Sequence, residues 1–237
     1  MPTLFGLGHV TQLHEIQKAR LKRGQPGIGA EVEEFISRLT SGVVAGKSAD
    51  PREIHAKRLW DLGVGRELGF KDFGVWLESL PPIPKRPDDN QLSTLVLVPD
   101  QSKIGIMKSC QLLGISFSDA DNIFVDAWPD RAISGTYWMW CQDGSKYRGK
   151  KPVICRDDLF PKKNQIAMTA HEGLWLYVVD RSVLRCHCID LPGSVRGGRR
   201  GHIAYLLFSG NGPRLYWRWG DAAGDDYGSA SRGIVST

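Results

Sequence analysis

Ile203-Ala-Tyr-Leu-Leu-Phe208, Ser209-Gly-Asn-Gly-Pro213 and Arg214-Leu-Tyr-Trp-Arg-Trp219 are the consecutive segments whose reading decides the fold. Two runs rich in aliphatic and aromatic residues flank a cluster of turn formers, which predicts an antiparallel hairpin with a four- or five-residue loop. Alternation in the second run puts Leu215, Trp217 and Trp219 on one face and Arg214, Tyr216 and Arg218 on the other. The first face predicts core. The second reads either as a solvated edge or as a surface where Tyr216 stacks a ring while the arginines hold phosphate or carboxylate, whose planar edges match guanidinium.

Immediately before the hairpin, Gly193-Ser-Val-Arg-Gly-Gly-Arg-Arg-Gly201 reads as a loop. Its small residues allow close backbone approach. It is either a flexible connection or a ligand loop in which Arg196, Arg199 and Arg200 grip a polyanion. Between Arg181 and Arg218 stand seven arginines and one acid, Asp190, so positive charge gathers beside aromatic residues.

Farther upstream, Thr169–Asp180 predicts a helix, Thr136–Cys141 and Ile123–Ala127 strands, Ile104–Leu113 a short helix closed by Gly114, and Ser93–Val98 a strand ended by Pro99. Pro81-Pro-Ile-Pro-Lys-Arg-Pro-Asp-Asp-Asn90 holds four prolines in ten residues and predicts an extended connector. Before it, Thr11–Arg23, Ala30–Val44, Pro51–Leu62 and Phe70–Leu80 show helical periodicity, with Asp50 as cap and Pro51 at the first helical position of the third. The expectation is an α+β protein: a helical region over 1–80, a proline-rich linker over 81–92, and an α+β domain over 93–237 with a mainly antiparallel sheet and flanking helices.

Composition narrows the class. The 237 residues are 41% apolar and 24% charged, values that exclude global disorder. The net charge of +5 permits a polyanionic partner without requiring one. Five cysteines, an odd number without a framework, point to a reduced intracellular protein. No run approaches the roughly 18 apolar residues of a membrane span, and no basic-then-apolar leader opens the chain. A cytoplasmic protein without a membrane partner is expected.

Several motifs carry competing readings. Gly42-Val-Val-Ala-Gly46-Lys47-Ser48 is one residue short of a phosphate-binding loop and follows a predicted helix, which favours a helix end. His171-Glu172 resembles the start of a zinc-protease helix, but Trp175 stands where the second histidine belongs. Thr169-x-x-Glu172 is also a capping box. Cys186-His187-Cys188 lacks a paired C-x-x-C, so neither metal nor cofactor is expected. Ser194, Ser229 and Ser231 lack a nucleophile elbow.

Met168-Thr-Ala-His-Glu-Gly-Leu174, Ile189-Asp-Leu-Pro-Gly-Ser194, Gly212-Pro-Arg-Leu215 with Trp217 and Trp219, and Gly228-Ser-Ala-Ser231 occur in that order. Over roughly 93–232 this resembles uncharacterised bacterial domain-of-unknown-function proteins of actinobacterial and metagenomic lineages. The resemblance implies that Glu172, Gly173, Gly193, Ser194, Trp219, Gly228, Ser229 and Ser231 match a family pattern, and it implies no activity.

The leading expectation is a non-enzymatic binding module whose ligand residues are Arg196, Arg199, Arg200, Arg214, Tyr216 and Arg218 and whose partner is nucleic acid or another polyanion. The first alternative is an enzyme acting on a small phosphorylated or carboxylated substrate, with Glu172 as general base, His171 or His202 as proton shuttle, and Arg196 or Arg232 as anion clamp. The second alternative is a helical interaction protein that forms homo-oligomers through its N-terminal helices.

Overall fold

The computed structural model describes residues 50–88, 91–117, 124–197, 199–210 and 212–234, with the side chains of 199 and 200 excepted. The two helices expected over 11–44 and the Gly42–Ser48 motif lie outside the described residues.

His55–Thr237 forms one compact α+β unit. Its helices are α1 (Pro51–Asp61), whose first turn lies outside the unit, α2 (Val64–Glu67), α3 (Phe73–Ser79), α4 (Ile106–Leu113), α5 (Pro152–Ile154), α6 (Ala170–Val179) and α7 (Val183–Cys186). Its strands are β1 (Thr94–Val98), β2 (Ser116–Phe117), β3 (Phe124–Asp126), β4 (Tyr137–Gln142), β5 (Gln165–Ala167), β6 (Cys188–Arg196), β7 (Arg199–Ser209), β8 (Gly212–Trp219), β9 (Tyr227–Ser229) and β10 (Ser231–Gly233). One sheet is antiparallel in the order β1-β4-β10-β5. The other is mixed, in the order β2-β8-β7-β6-β3, with β9 parallel to β6.

Helix α6 packs against β1 of the first sheet and against β6 and β7 of the second. Every residue from Ala170 to Val178 is buried. Such a helix needs apolar residues all round, and Leu174-Trp-Leu-Tyr-Val178 supplies them. Gly173 lets β6 approach, because a Cβ there would lie 2.4 Å from a Leu191 methyl. A second link between the sheets is covalent: Ala230 alone separates β9 in the mixed sheet from β10 in the antiparallel one, so Gly228-Ser-Ala-Ser231 is the crossing. Buried Ser231 secures it, its hydroxyl 2.6 Å from Gln165 Oε1 and accepting from Gln142 Nε2 at 2.8 Å.

The predicted hairpin is β7–β8. Its register pairs Ser209 with Gly212, so the loop is two residues long and shorter than the spacing suggests, with Gly210 at φ +51°. That left-handed backbone matches the tight turns that suit strand twist.

Three expectations need correction. The proline run is no free linker: the compact unit begins at His55, and Trp138 and Trp140 donate their indole N–H groups to the carbonyls of Pro81 and Pro84, each at 2.9 Å. The Gly193–Gly201 loop is mostly strand, since β6 runs through Pro192 and Gly193 to Arg196 and β7 begins at Arg199. Register shifts between Leu191 and Arg196 mark the bulge that accommodates those two residues. Trp219 shares a face with Leu215 and Trp217 but is 58% exposed, because it ends β8.

Candidate functional site

The arginines expected to make one surface are divided by the mixed sheet. On β8, Trp217 pairs with Ala204 and hence with Leu191, on the face covered by α6. Arg196 lies over Trp217, its guanidinium 4.8 Å from the ring centroid. Arg214, Tyr216 and Arg218 belong to the opposite face by strand alternation. Arg218 is occupied there: it faces the fully buried Asp190 at 3.4 Å, donates to the Ala222 carbonyl at 2.6 Å and covers the Tyr227 ring at 3.7 Å. Arg214 and Tyr216 are exposed, with Tyr216 stacked beside Trp217 at 5.6 Å. The side chains of Arg199 and Arg200 lie outside the described residues.

A different set converges at the start of α6. Thr169 caps the helix, accepting from the Glu172 N–H at 3.2 Å, and Glu172 Oε2 accepts from the Thr169 N–H at 2.7 Å. The predicted capping box is therefore complete. Oε1 of the same carboxylate accepts from the Tyr137 hydroxyl at 2.7 Å and lies 2.5 Å from Arg232 Nε. The arginine contact is ionic, since the Nε–H is not directed at an acceptor. Glu172 and Arg232 are both almost fully buried, an arrangement in which each charge depends on the other. Both Glu172 oxygens are thus engaged, which removes the residue as a free general base. Arg232 also donates to the Arg131 carbonyl at 3.2 Å, so it holds the structure together and is no free anion clamp.

His171 projects beside this pair. Its Nε2 stands 2.9 Å from the Pro99 carbonyl. A carbonyl only accepts, so Nε2 carries the proton and Nδ1 presents a lone pair. The Trp175 indole N–H, 3.3 Å from the same Nε2, is itself a donor, so with the proton on Nε2 it makes no hydrogen bond there; the shorter Pro99 contact decides the tautomer. Burial lowers the His171 pKa and keeps the ring neutral. His202 is elsewhere, on β7 among Trp217 and Trp219 with ring centroids 4.5 and 3.9 Å away, and it does not line the Glu172 cavity.

Asp126 completes the cluster from β3. It pairs with Ser194, whose hydroxyl accepts from the first N–H of α6, Ala170, at 2.8 Å. That pairing brings the carboxylate to the helix start. Burial first, and then the Glu172 charge, raise the Asp126 pKa, while Arg232 lowers it. Its side chain makes no hydrogen bond or ion pair among the described residues.

Asp126, Tyr137, His171, Glu172 and Arg232 line a cavity of about 30 Å³. Asp126 and Trp128 border both it and a groove of about 710 Å³ walled by Val125, Val195, Arg156 and Arg196. The guanidinium of Arg131 lies 4.8 Å from the Trp128 ring and that of Arg156 5.9 Å. Arg156 also grips Asp157 through two bonds of 2.7 and 3.0 Å.

Sequence reasoning missed Asp126, Trp128, Arg131, Tyr137 and Arg156. Asp126 carried one usable signal, since Asp is depleted in strands and it closes one. Among the described residues no cluster of His, Cys, Asp and Glu could hold a metal ion, and all five cysteines are free thiols. No helix among them is long and apolar enough to cross a membrane. Compared with protein-family models, curated proteins and solved structures, the chain matches none.

Proposed function

We propose that this domain is a binding module for a small anion carrying a planar ring, seated in the groove beside Trp128. The observation that carries the reading is Trp128 itself, a half-buried indole at the junction of groove and cavity with two guanidinium groups at its ring. Apolar Val125 and Val195 offer a ring a surface to cover, and Arg156 and Arg196 bring positive charge to the groove wall, that of Arg156 shared with Asp157. The anionic partner of the sequence reading is retained, and of its residues Arg196 walls this groove while Arg214, Tyr216 and Arg218 do not. A nucleic acid strand tracking Arg214 and Tyr216 is the second reading, favoured by the exposure of both residues.

Titration calorimetry with benzoate, phenyl phosphate and adenosine monophosphate tests the first reading. At least one probe should bind, and Trp128→Ala should weaken it by about tenfold, the loss of one stacking contact worth on the order of 1–3 kcal/mol. Binding that survives Trp128→Ala unchanged, or retention of single-stranded oligonucleotide with none of the three probes bound, would sink it.

A further inference from the structure

His171 Nδ1 is the feature that the binding reading leaves unused. It belongs to a side chain 1% exposed, has no hydrogen-bond partner, and sits among the residues lining the 30 Å³ cavity. A buried acceptor without a donor is destabilising, so the position calls for a donor to fill it. The tautomer fixed by the Pro99 carbonyl makes Nδ1 an acceptor only. Across the same cavity, the Asp126 carboxylate is a second acceptor without a hydrogen bond among the described residues. Of the nearby donors, Tyr137 O–H and Thr169 N–H are held by Glu172 and Ala170 N–H by Ser194, while Arg232 Nε–H, in ionic contact with Glu172, makes no hydrogen bond of its own. A cavity of this volume admits one hydroxyl- or amino-sized group.

We infer that the cavity is a specificity subsite, in which Asp126 and His171 receive a hydroxyl or amino group borne by the ring of the ligand in the adjoining groove. The inference rests on the binding function proposed above. The ring stays against Trp128 and Val125, and its donor substituent passes between Asp126 and Trp128, the two residues shared by groove and cavity. An amino substituent gives one N–H to each of the two open acceptors, whereas a hydroxyl, with its single proton, satisfies one of them. A ligand of the same shape without the donor strands both of them, which is how a polar pocket discriminates.

The test compares benzoate with 2-, 3- and 4-hydroxybenzoate by calorimetry on the full chain. At least one hydroxy isomer should bind tenfold or more tightly than benzoate, as expected of a hydrogen bond to a charged acceptor, worth about 1.5–3 kcal/mol. In Asp126→Ala the ratio of hydroxybenzoate to benzoate affinity should fall to about twofold or less, with far-ultraviolet circular dichroism showing that the variant is folded. Should Asp126→Ala fail to fold, the His171 Nδ1 nitrogen resonance of the unaltered protein decides. It should move on adding the preferred hydroxybenzoate and stay still with benzoate. Equal affinities for benzoate and all three isomers would overturn the subsite and leave the ring-anion groove standing, as would a preference undiminished in Asp126→Ala. No binding by any benzoate, phenyl phosphate or adenosine monophosphate overturns the groove and the subsite together.

Discussion

Replacing Asp190 by asparagine should stabilise this protein above neutral pH and leave it nearly unchanged in acid. Asp190 is fully buried on β6, and desolvation pushes its carboxyl up to about 7 from an ordinary value of 3.8, with Arg218 at 3.4 Å offsetting only part of the cost. An unfolded chain releases this proton near its ordinary value, whereas the folded chain keeps it until about 7. Folding is therefore favoured by the bound proton, and the contribution declines as pH rises between those two values and is flat above. A gap of that size is worth about 4 kcal/mol. Asparagine has nearly the shape of the protonated acid and cannot ionise. The variant should match the natural protein within about 1 kcal/mol near pH 4 and exceed it by up to about 4 kcal/mol at pH 8. Urea denaturation of both proteins at four pH values, followed by tryptophan fluorescence, gives the two curves. Parallel curves across pH 4–8 would refute the reasoning, because they would mean that Asp190 ionises alike in both states.

Two other outcomes follow from packing. Gly193→Ala would set a Cβ 2.4 Å from the Ala167 carbonyl oxygen and 2.7 Å from the Met168 carbonyl group, all backbone. The loss should reach or pass the roughly 1–3 kcal/mol typical of overpacking, and an unchanged urea midpoint would count against this crossing of β6 and the residues before α6. Thiol labelling with iodoacetamide should modify exposed Cys186 first, with buried Cys110, Cys141 and Cys155 reacting only after unfolding. Burial pushes the Cys110 thiol up to about 12, so little thiolate is present to react, and peptide mapping that finds Cys110 alkylated as fast as Cys186 would contradict it.

What was legible in the sequence is what local chemistry writes. The β7–β8 hairpin shows in its alternation, and α6 shows in Thr169 and Glu172, whose capping box needs only neighbours in the chain. The Gly193–Gly201 segment misled because Pro192 and Gly193 are turn formers in most settings, and only a partner strand with a bulge lets them sit in β6. Trp219 misled differently. Alternation reports which face a residue shares, while burial depends on what covers that face at that point along the strand.

The site was illegible for a related reason. Glu172 looked either like a cap or like a base, and its second oxygen turned out to be held by Tyr137 and Arg232, which lie on β4 and β10. No local pattern announces such a meeting. It is produced by the crossing at Ala230: β9 beside β6 fixes where β10 enters the antiparallel sheet, and that entry carries Arg232 to the start of α6. Asp126 arrives from the opposite side, through its pairing with Ser194 on β6. The cavity thus lies where the two sheets are joined, and its polar groups are oriented by the same contacts that join them. This accounts for buried charge beside a groove: Glu172 and Arg232 brace the junction, and Asp126 and His171 are the acceptors that bracing leaves facing the cavity.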